Sequence, residues 1–372
     1  MTVSLLVPTF NRSDFVIRLL GYYRDHQFPG QLLIGDSSVG EHAERIQAAI
    51  AQLNGQVQVV YRAYPGLKAA ACLRELSRLV VTPYAAFLPD DDLYVPEALE
   101  RGIRFLEAHP DYSAAHGTGL LLKLEGTGAY GTVRSAFPYG LDALEQERAS
   151  DRLLAHLSHY TVIPYSVRRT GQFRESLEFD PPIPDASFAL ELFPSSLLAI
   201  HGKVKKLDGL FVMHQRYTQQ KLLPDHTEWM TSPQWLPSYE MFQERLTVAL
   251  ARQDGISREE AVSVVEYAFW QYVANCLQMW QRRTGTSMST TRWARLRAFG
   301  ARQPFLKAAW VAVRRWVPGR QEPELFLPEL SRRSSRYHAQ FMEFVRVMSA
   351  PSVLQQPTAT DARPALIGAG TR

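Results

Sequence analysis

The chain has 372 residues, of which 46% are hydrophobic and 21% charged, and a formal net charge of +4. That is enough chain for one large domain with an appendage or for two domains, each burying a real core. The mild positive charge, with no concentrated motif beside it, excludes nucleic acid as the expected partner. The two cysteines, Cys72 and Cys276, stand far apart and match no metal-type spacing.

Val3 to Val7 is a short apolar run that starts without a basic leader or a cleavable apolar segment, so no secretory signal is expected. No uncharged apolar run reaches the length of a bilayer span. A cytoplasmic location is therefore expected, with attachment to the inner membrane surface left open. The run closes at Pro8-Thr9-Phe10-Asn11-Arg12 and is followed by Phe15, Leu19, Leu20 and Tyr23 at helical spacing. Leu32-Leu33-Ile34-Gly35 before Asp36-Ser37-Ser38 is a second strand, and Ala43 to Leu53 a second helix. Val57 to Tyr61 is a third strand, Pro65-Gly66 its end, and Leu67 to Leu79 a third helix. A fourth strand, Tyr84 to Leu88, runs into Pro89-Asp90-Asp91-Asp92.

Strands alternating with helices predict a mostly parallel, twisted α/β sheet flanked by helices. In such a sheet the carboxyl ends of the strands open on one side, so Thr9 to Arg12, Asp36 and Asp90 to Asp92 are expected to converge on one crevice. Three adjacent carboxylates repel one another and call for a positive charge, and carboxylate oxygen suits a hard divalent cation. The same acids also fit a polar turn leading into a helix opened by Pro96 and Glu97.

Further along, Leu99, Ile103 and Leu106 follow helical spacing, Tyr112 to Leu122 reads as a strand pair, Gly126 to Gly140 as a loop, and Leu141 to Ser158 as a helix. Phe179 to Asp185 is a proline-laden approach to a helix that Asp185 opens or caps. Val204 to Met213 is a strand ending at His214. Arg258 to Arg283 predicts one long helix with Val262, Val265, Phe269, Tyr272, Val273 and Cys276 on a face. Trp270 and Trp280 on it are read as core or interface. Arg292 to Arg320 carries eight basic residues and no acid, with Trp293, Trp310 and Trp316 among them. That composition suits a peripheral membrane contact or packing on the preceding α/β domain. The Ala-, Thr-, Pro- and Gly-rich end, 351–372, is expected to be disordered. The expected division is 1–223, a helical, basic, tryptophan-containing 224–350, and the tail.

The ordered set Val7-Pro8-Thr9-Phe10-Asn11-Arg12, Gly35-Asp36-Ser37-Ser38, Gly66-Leu67-Lys68-Ala69-Ala70 and Phe87-Leu88-Pro89-Asp90-Asp91-Asp92 resembles the GT-A-fold glycosyltransferases of the family-2 type over roughly the first 215 residues. The resemblance implies a Rossmann-like GT-A domain that takes a nucleoside diphosphate sugar, UDP-type favoured, and a divalent metal, Mn²⁺ or Mg²⁺. It places Pro8, Thr9 and Arg12 along the nucleotide loop, Asp36 on the base, Asp90 and Asp91 beside the nucleotide and Asp92 on the metal. His214 stands where some members keep a further metal ligand. Asp185, 93 residues after Asp92, would be the catalytic carboxylate of an inverting transfer to a hydroxyl of a glycan or glycolipid. Asp180 is its nearest competitor, and Glu191 lies two helical turns further on. Where many members carry Arg-Asn after the glycine segment, this chain has Ala71-Cys72, so Lys68 or Arg74 is the substitute cation for the diphosphate. The C-terminal helices would serve any oligomer. The rival readings are a sugar-phosphate nucleotidyltransferase, weakened because Pro8 to Arg12 lacks glycine, and a glycan- or membrane-binding protein that kept the fold without the chemistry.

Overall fold

The computed structural model describes residues 3–216, 226–284, 325–349 and 354. Its first half follows the predicted alternation: β1 (Val3–Thr9), α1 (Ser13–Asp25), β2 (Gln31–Asp36), α2 (Glu41–Gln52), β3 (Gln58–Ala63), α3 (Ala69–Arg78) and β4 (Tyr84–Phe87). β1 pairs in parallel with β2 and β4, and β2 with β3. The apolar runs of β1 and β2 are covered on both faces, which is why they carry no polar alternation. Register puts Thr9 opposite Asp36 and Leu6 opposite Phe87, so the three strand ends come out on one edge.

The sheet continues through β5 (Leu93–Tyr94), β6 (Tyr112–Leu124), β7 (Val133–Tyr139), β8 (Val167–Arg169) and β9 (Lys203–Gln215), with α4 (Pro96–Ala108), α5 (Ala149–Ser158), α6 (Thr170–Glu175), a π-helical turn (Phe188–Leu192) and α7 (Phe193–His201) between them. The strand order is β3-β2-β1-β4-β8-β6-β9-β5, with β7 on β6. β9 runs parallel to β6 and antiparallel to β5, which brings His214 beside the segment that follows the acids.

Three expectations are corrected here. Tyr112 to Leu122 is one long strand, not a pair, because β6 has two partners on one edge: Ala114 and Ala115 meet β8, and Gly119 to Leu124 meet β7. The span 126–140 is not a loop throughout, since 133–139 is drawn into the sheet by β6. Residues 141–148 are not helical; Leu144 exchanges backbone hydrogen bonds with Val204, and α5 begins only at Ala149. There the backbone N–H groups of Ala149 and Ser150 donate to the Asp254 carboxylate, at 2.8 and 2.9 Å, so the cap comes from a distant helix.

The C-terminal helices divide between two cores. α8 (His226–Met230), α9 (Trp235–Asp254) and α10 (Arg258–Thr284) pack with α5, the π turn and α7 around Phe188, Phe242, Leu246, Val265 and Phe269. Phe188 anchors that core, its ring centroid 5.2 Å from Trp229, 5.3 Å from Phe242 and 5.9 Å from Phe269. By contrast α11 (Leu327–Leu330) and α12 (His338–Ser349) return to the sheet, burying Phe341, Phe344 and Met348 in the cluster that holds Tyr22 and Val16 of α1. Trp270 and Trp280 are 50% and 38% exposed rather than core. The basic stretch 292–320 lies outside the described residues, as does the tail apart from Leu354. Among the described residues no helix is long and apolar enough to cross a membrane.

Candidate functional site

The fold delivers Thr9 and Arg12 from the end of β1, Asp90 to Asp92 from the end of β4, and His214 and Gln215 from the end of β9. Asp90, 4% exposed, accepts a hydrogen bond from the Thr9 hydroxyl at 2.7 Å and lies 3.0 Å from Arg12 Nη1. Arg12 Nη2 reaches Asp91 Oδ2 at 2.9 Å, and the guanidinium lies 4.1 Å from the centre of the Phe15 ring. Asp92, 0% exposed, takes the Gln215 N–H on Oδ1 at 3.1 Å and faces His214 Nδ1 with Oδ2 at 2.8 Å. Every carboxylate of the triplet is thus met from within the chain. Arg12, expected along the nucleotide loop, is committed to Asp90 and Asp91.

Burial is the main influence on these groups and raises the Asp90 and Asp92 carboxyls above the ordinary aspartate range, against the pull of Arg12 and of His214. For His214 burial acts to lower the imidazole, and the Asp92 carboxylate overcomes it, so the ring is raised above its ordinary value. Tyr139 stacks on His214, centroids 5.0 Å apart and planes 18° apart, and the Tyr165 hydroxyl lies 3.3 Å from His214 Nδ1. These two tyrosines frame the His214–Asp92 pair.

A divalent cation can be tested against this geometry. Asp92 Oδ2 and His214 Nδ1 lie 2.8 Å apart as hydrogen-bond partners, and as a carboxylate oxygen and an imidazole nitrogen they are donor types that would suit a divalent cation in place of the shared proton. Among the described residues no group of three or more His, Cys, Asp and Glu could hold a metal ion. The pair therefore fits a cation that takes its remaining ligands from diphosphate and water, and does not fit an all-protein cage.

The other expected residues lie as follows. Pro8 is part of β1 and pairs with Gly35. Asp36 is wholly buried; Oδ1 accepts from the Ser38 N–H and Oδ2 from the Tyr61 hydroxyl, both at 2.8 Å, so both carboxylate oxygens are engaged within the chain. Lys68 is an exposed residue at the start of α3. Asp185 is 6% exposed and belongs to the helical core: its Oδ1 accepts from the N–H groups of Ser187 and Phe188, at 2.9 and 3.1 Å, and from the indole of Trp229 at 3.0 Å. It is a helix cap, as the sequence allowed, with all three bonds on one oxygen. The cavity of about 520 Å³ between α6, α7 and α9, lined by Gln172, His201 and Arg245 among others, includes none of these residues.

Sequence reasoning missed Tyr139, Tyr165, Gln215 and Arg18. Only Arg18 carried a signal: it is a charge inside the apolar run Phe15 to Leu20, on the face that had to be buried.

No family model matches the chain, and no curated protein matches it. Among solved structures, residues 1–349 of S. aureus TarS in complex with UDP-GlcNAc superpose with a TM-score of 0.50 at 15% identity, over 79% of this chain and 78% of that one. The same TarS fragment without the ligand gives 0.47 at 13% identity, over 81% and 79%. GalNAc-T7 with UDP, GalNAc and Mn²⁺ gives 0.45 at 11% identity, over 76% and 57%. With the first of these likenesses and the strand order above, the chain shares the fold of the TarS fragment, a central α/β sheet flanked by helices, with a helical C-terminal region.

Proposed function

We propose that this protein is an inverting, metal-assisted glycosyltransferase that moves a sugar from a UDP-type nucleotide sugar to a hydroxyl of a glycan or glycolipid. The observation that carries the reading is the convergence of Thr9, Arg12, Asp90 to Asp92 and His214 at the strand ends of this fold. The UDP-GlcNAc bound to TarS supports a UDP-type donor.

In this reading Asp92 and His214 hold the cation together with the diphosphate, while Asp90, set by Thr9 and Arg12, lies beside the ribose. Held by Asp92 and His214, a divalent ion would supply Lewis-acid neutralisation of the charge on the departing diphosphate. The acceptor hydroxyl attacks that carbon from the opposite face, and its proton passes to a carboxylate within hydrogen-bond reach. Asp185 is assigned that task through Oδ2, since the cap and the Trp229 indole both use Oδ1. Two substituents exchange at one carbon in a single displacement, so the anomeric configuration inverts.

The test is turnover of a panel of nucleotide sugars with Mn²⁺ or Mg²⁺, followed as UDP release. Release of UDP that stops on chelation is the expected result. Pyrophosphate release from a nucleoside triphosphate would favour the nucleotidyltransferase instead, and no turnover and no nucleotide binding would overturn both.

A further inference from the structure

Arg18 is 1% exposed in the middle of α1, where an apolar side chain would pack without the cost of removing a charge from water. Its acceptors explain why a cation stands there. Nη2 donates to the carbonyl oxygen of Asp91 at 2.8 Å. Nη1 faces the Gln215 side-chain oxygen at 2.5 Å, Met348 Sδ at 2.9 Å and the carbonyl oxygen of Ala129. Gln215 in turn donates its backbone N–H to Asp92 and its amide to the Gly128 carbonyl at 2.9 Å, while the Gly131 N–H donates to the Met348 carbonyl at 2.8 Å. One guanidinium therefore ties together the acid loop, the end of β9 just past His214, the 128–131 turn and the last turn of α12.

A second buried arginine shows the contrast. Arg152, 3% exposed, donates only to backbone carbonyls, those of Gln146, Glu147, Ala199 and Ile200, and joins helix ends in the other core. Arg18 instead acts on the two peptide segments that carry Asp92 and His214.

We propose that Arg18 is a positioning residue for the transfer reaction: it sets the Asp91–Asp92 peptide against the end of β9 so that Asp92 Oδ2 and His214 Nδ1 face one another, and it makes α12, from the far end of the chain, a structural wall of the donor site. The inference rests on the function proposed above. Burial pushes the guanidinium down to about 10, which leaves it charged at neutral pH. The planar fork reaches several acceptors at once, which an ammonium in the same place cannot do.

The test uses the full chain with Arg18→Met, an apolar replacement of similar length, and Arg18→Lys. Arg18→Met is expected to lower the melting temperature, because the Asp91 and Ala129 carbonyls and the Gln215 side-chain oxygen lose a buried donor, so activity is read on the folded variant well below that temperature. Its kcat is expected to fall about 10-fold or more, with the KM for the acceptor unchanged, because the misplaced pair acts on the breaking bond. Arg18→Lys is expected to lie between the two, and exchange of the Gln215 amide hydrogen to quicken in Arg18→Met. A native kcat and native Gln215 exchange in Arg18→Met would overturn the role of Arg18 while leaving the function standing. If native protein turns over no nucleotide sugar, the function fails, and Gln215 exchange alone then decides for or against the positioning. Should Arg18→Met not fold, Gln215→Leu, which cuts the link to Arg18 and keeps the backbone bond to Asp92, is read by the same kcat: a loss supports the proposal and a native value overturns it.

Discussion

The acid loop and the helical core are both tightly buried, and they differ in what goes unmet: carboxylates are partnered in both, while the helical core also leaves neutral polar groups without a partner. In the loop every carboxylate has a cation or a hydrogen-bond donor: Thr9 and Arg12 on Asp90, Arg12 on Asp91, His214 and Gln215 on Asp92. In the helical core both ring nitrogens of His156, the hydroxyls of Ser196 and Thr247, and the Trp235 N–H have no hydrogen-bond partner among the described residues. Unmet polar groups of this kind are costly, and the aromatic packing around Phe188 and Phe269 offsets them. The difference teaches where precision is concentrated: the loop is built for placed charge, the helical core for bulk.

The largest effect should come from the loop. Asp92→Ala removes the partner of both His214 and the Gln215 N–H, and turnover should fall about 100-fold or more, measured as UDP release. Native turnover would show that the loop's charges serve only the fold. Next is Asp185→Asn, whose amide oxygen can still accept the cap and indole bonds. It should lose about 100-fold in kcat with UDP affinity unchanged by calorimetry; retained activity would move the base to Asp180.

The helical core should instead report through stability. Burial pushes the His156 imidazole from the ordinary 6.5 to about 3, so the folded protein keeps it neutral. As pH falls the unfolded chain takes up this proton first, so the stability present above about 6.5 is lost progressively from there down toward 3. Acid unfolding followed by circular dichroism should show that loss, and His156→Leu should flatten it; an unchanged slope would contradict the assignment. The smallest effect is expected at the cap of the π-helical turn, where Trp229 meets Asp185. Trp229→Phe deletes one indole hydrogen bond and should cost about 1 kcal/mol in denaturant unfolding; unchanged stability would show that the bond adds nothing to the core.

The sheet half of the molecule was readable because its information is local. Runs such as Val3 to Val7 and Leu32 to Ile34 end in turn residues, and parallel topology alone then sends Thr9, Asp36 and Asp90 to one edge. The 133–139 strand escaped notice because its order comes from β6, residues away in sequence, and its own composition of Arg, Ser and Pro suggests a turn. Tyr139 was lost with it. The span 141–148 carries a helical pattern that the Leu144–Val204 bridge overrides. The division of the C-terminal helices was equally hidden: the apolar faces of α9 and α12 look alike in sequence, and only tertiary packing sends Phe242 to one core and Phe344 to the other. The capping role of Asp185 was legible in the sequence, but the Trp229 indole on the same oxygen had no sequence signature.

One calorimetric titration tests the central claim most directly: UDP added to native protein and to Asp92→Ala, each with Mn²⁺ and with a chelator. The account predicts binding to native protein that the chelator removes and that Asp92→Ala lacks. Equal UDP binding by both proteins with Mn²⁺ present, or binding by native protein that survives the chelator, would contradict it.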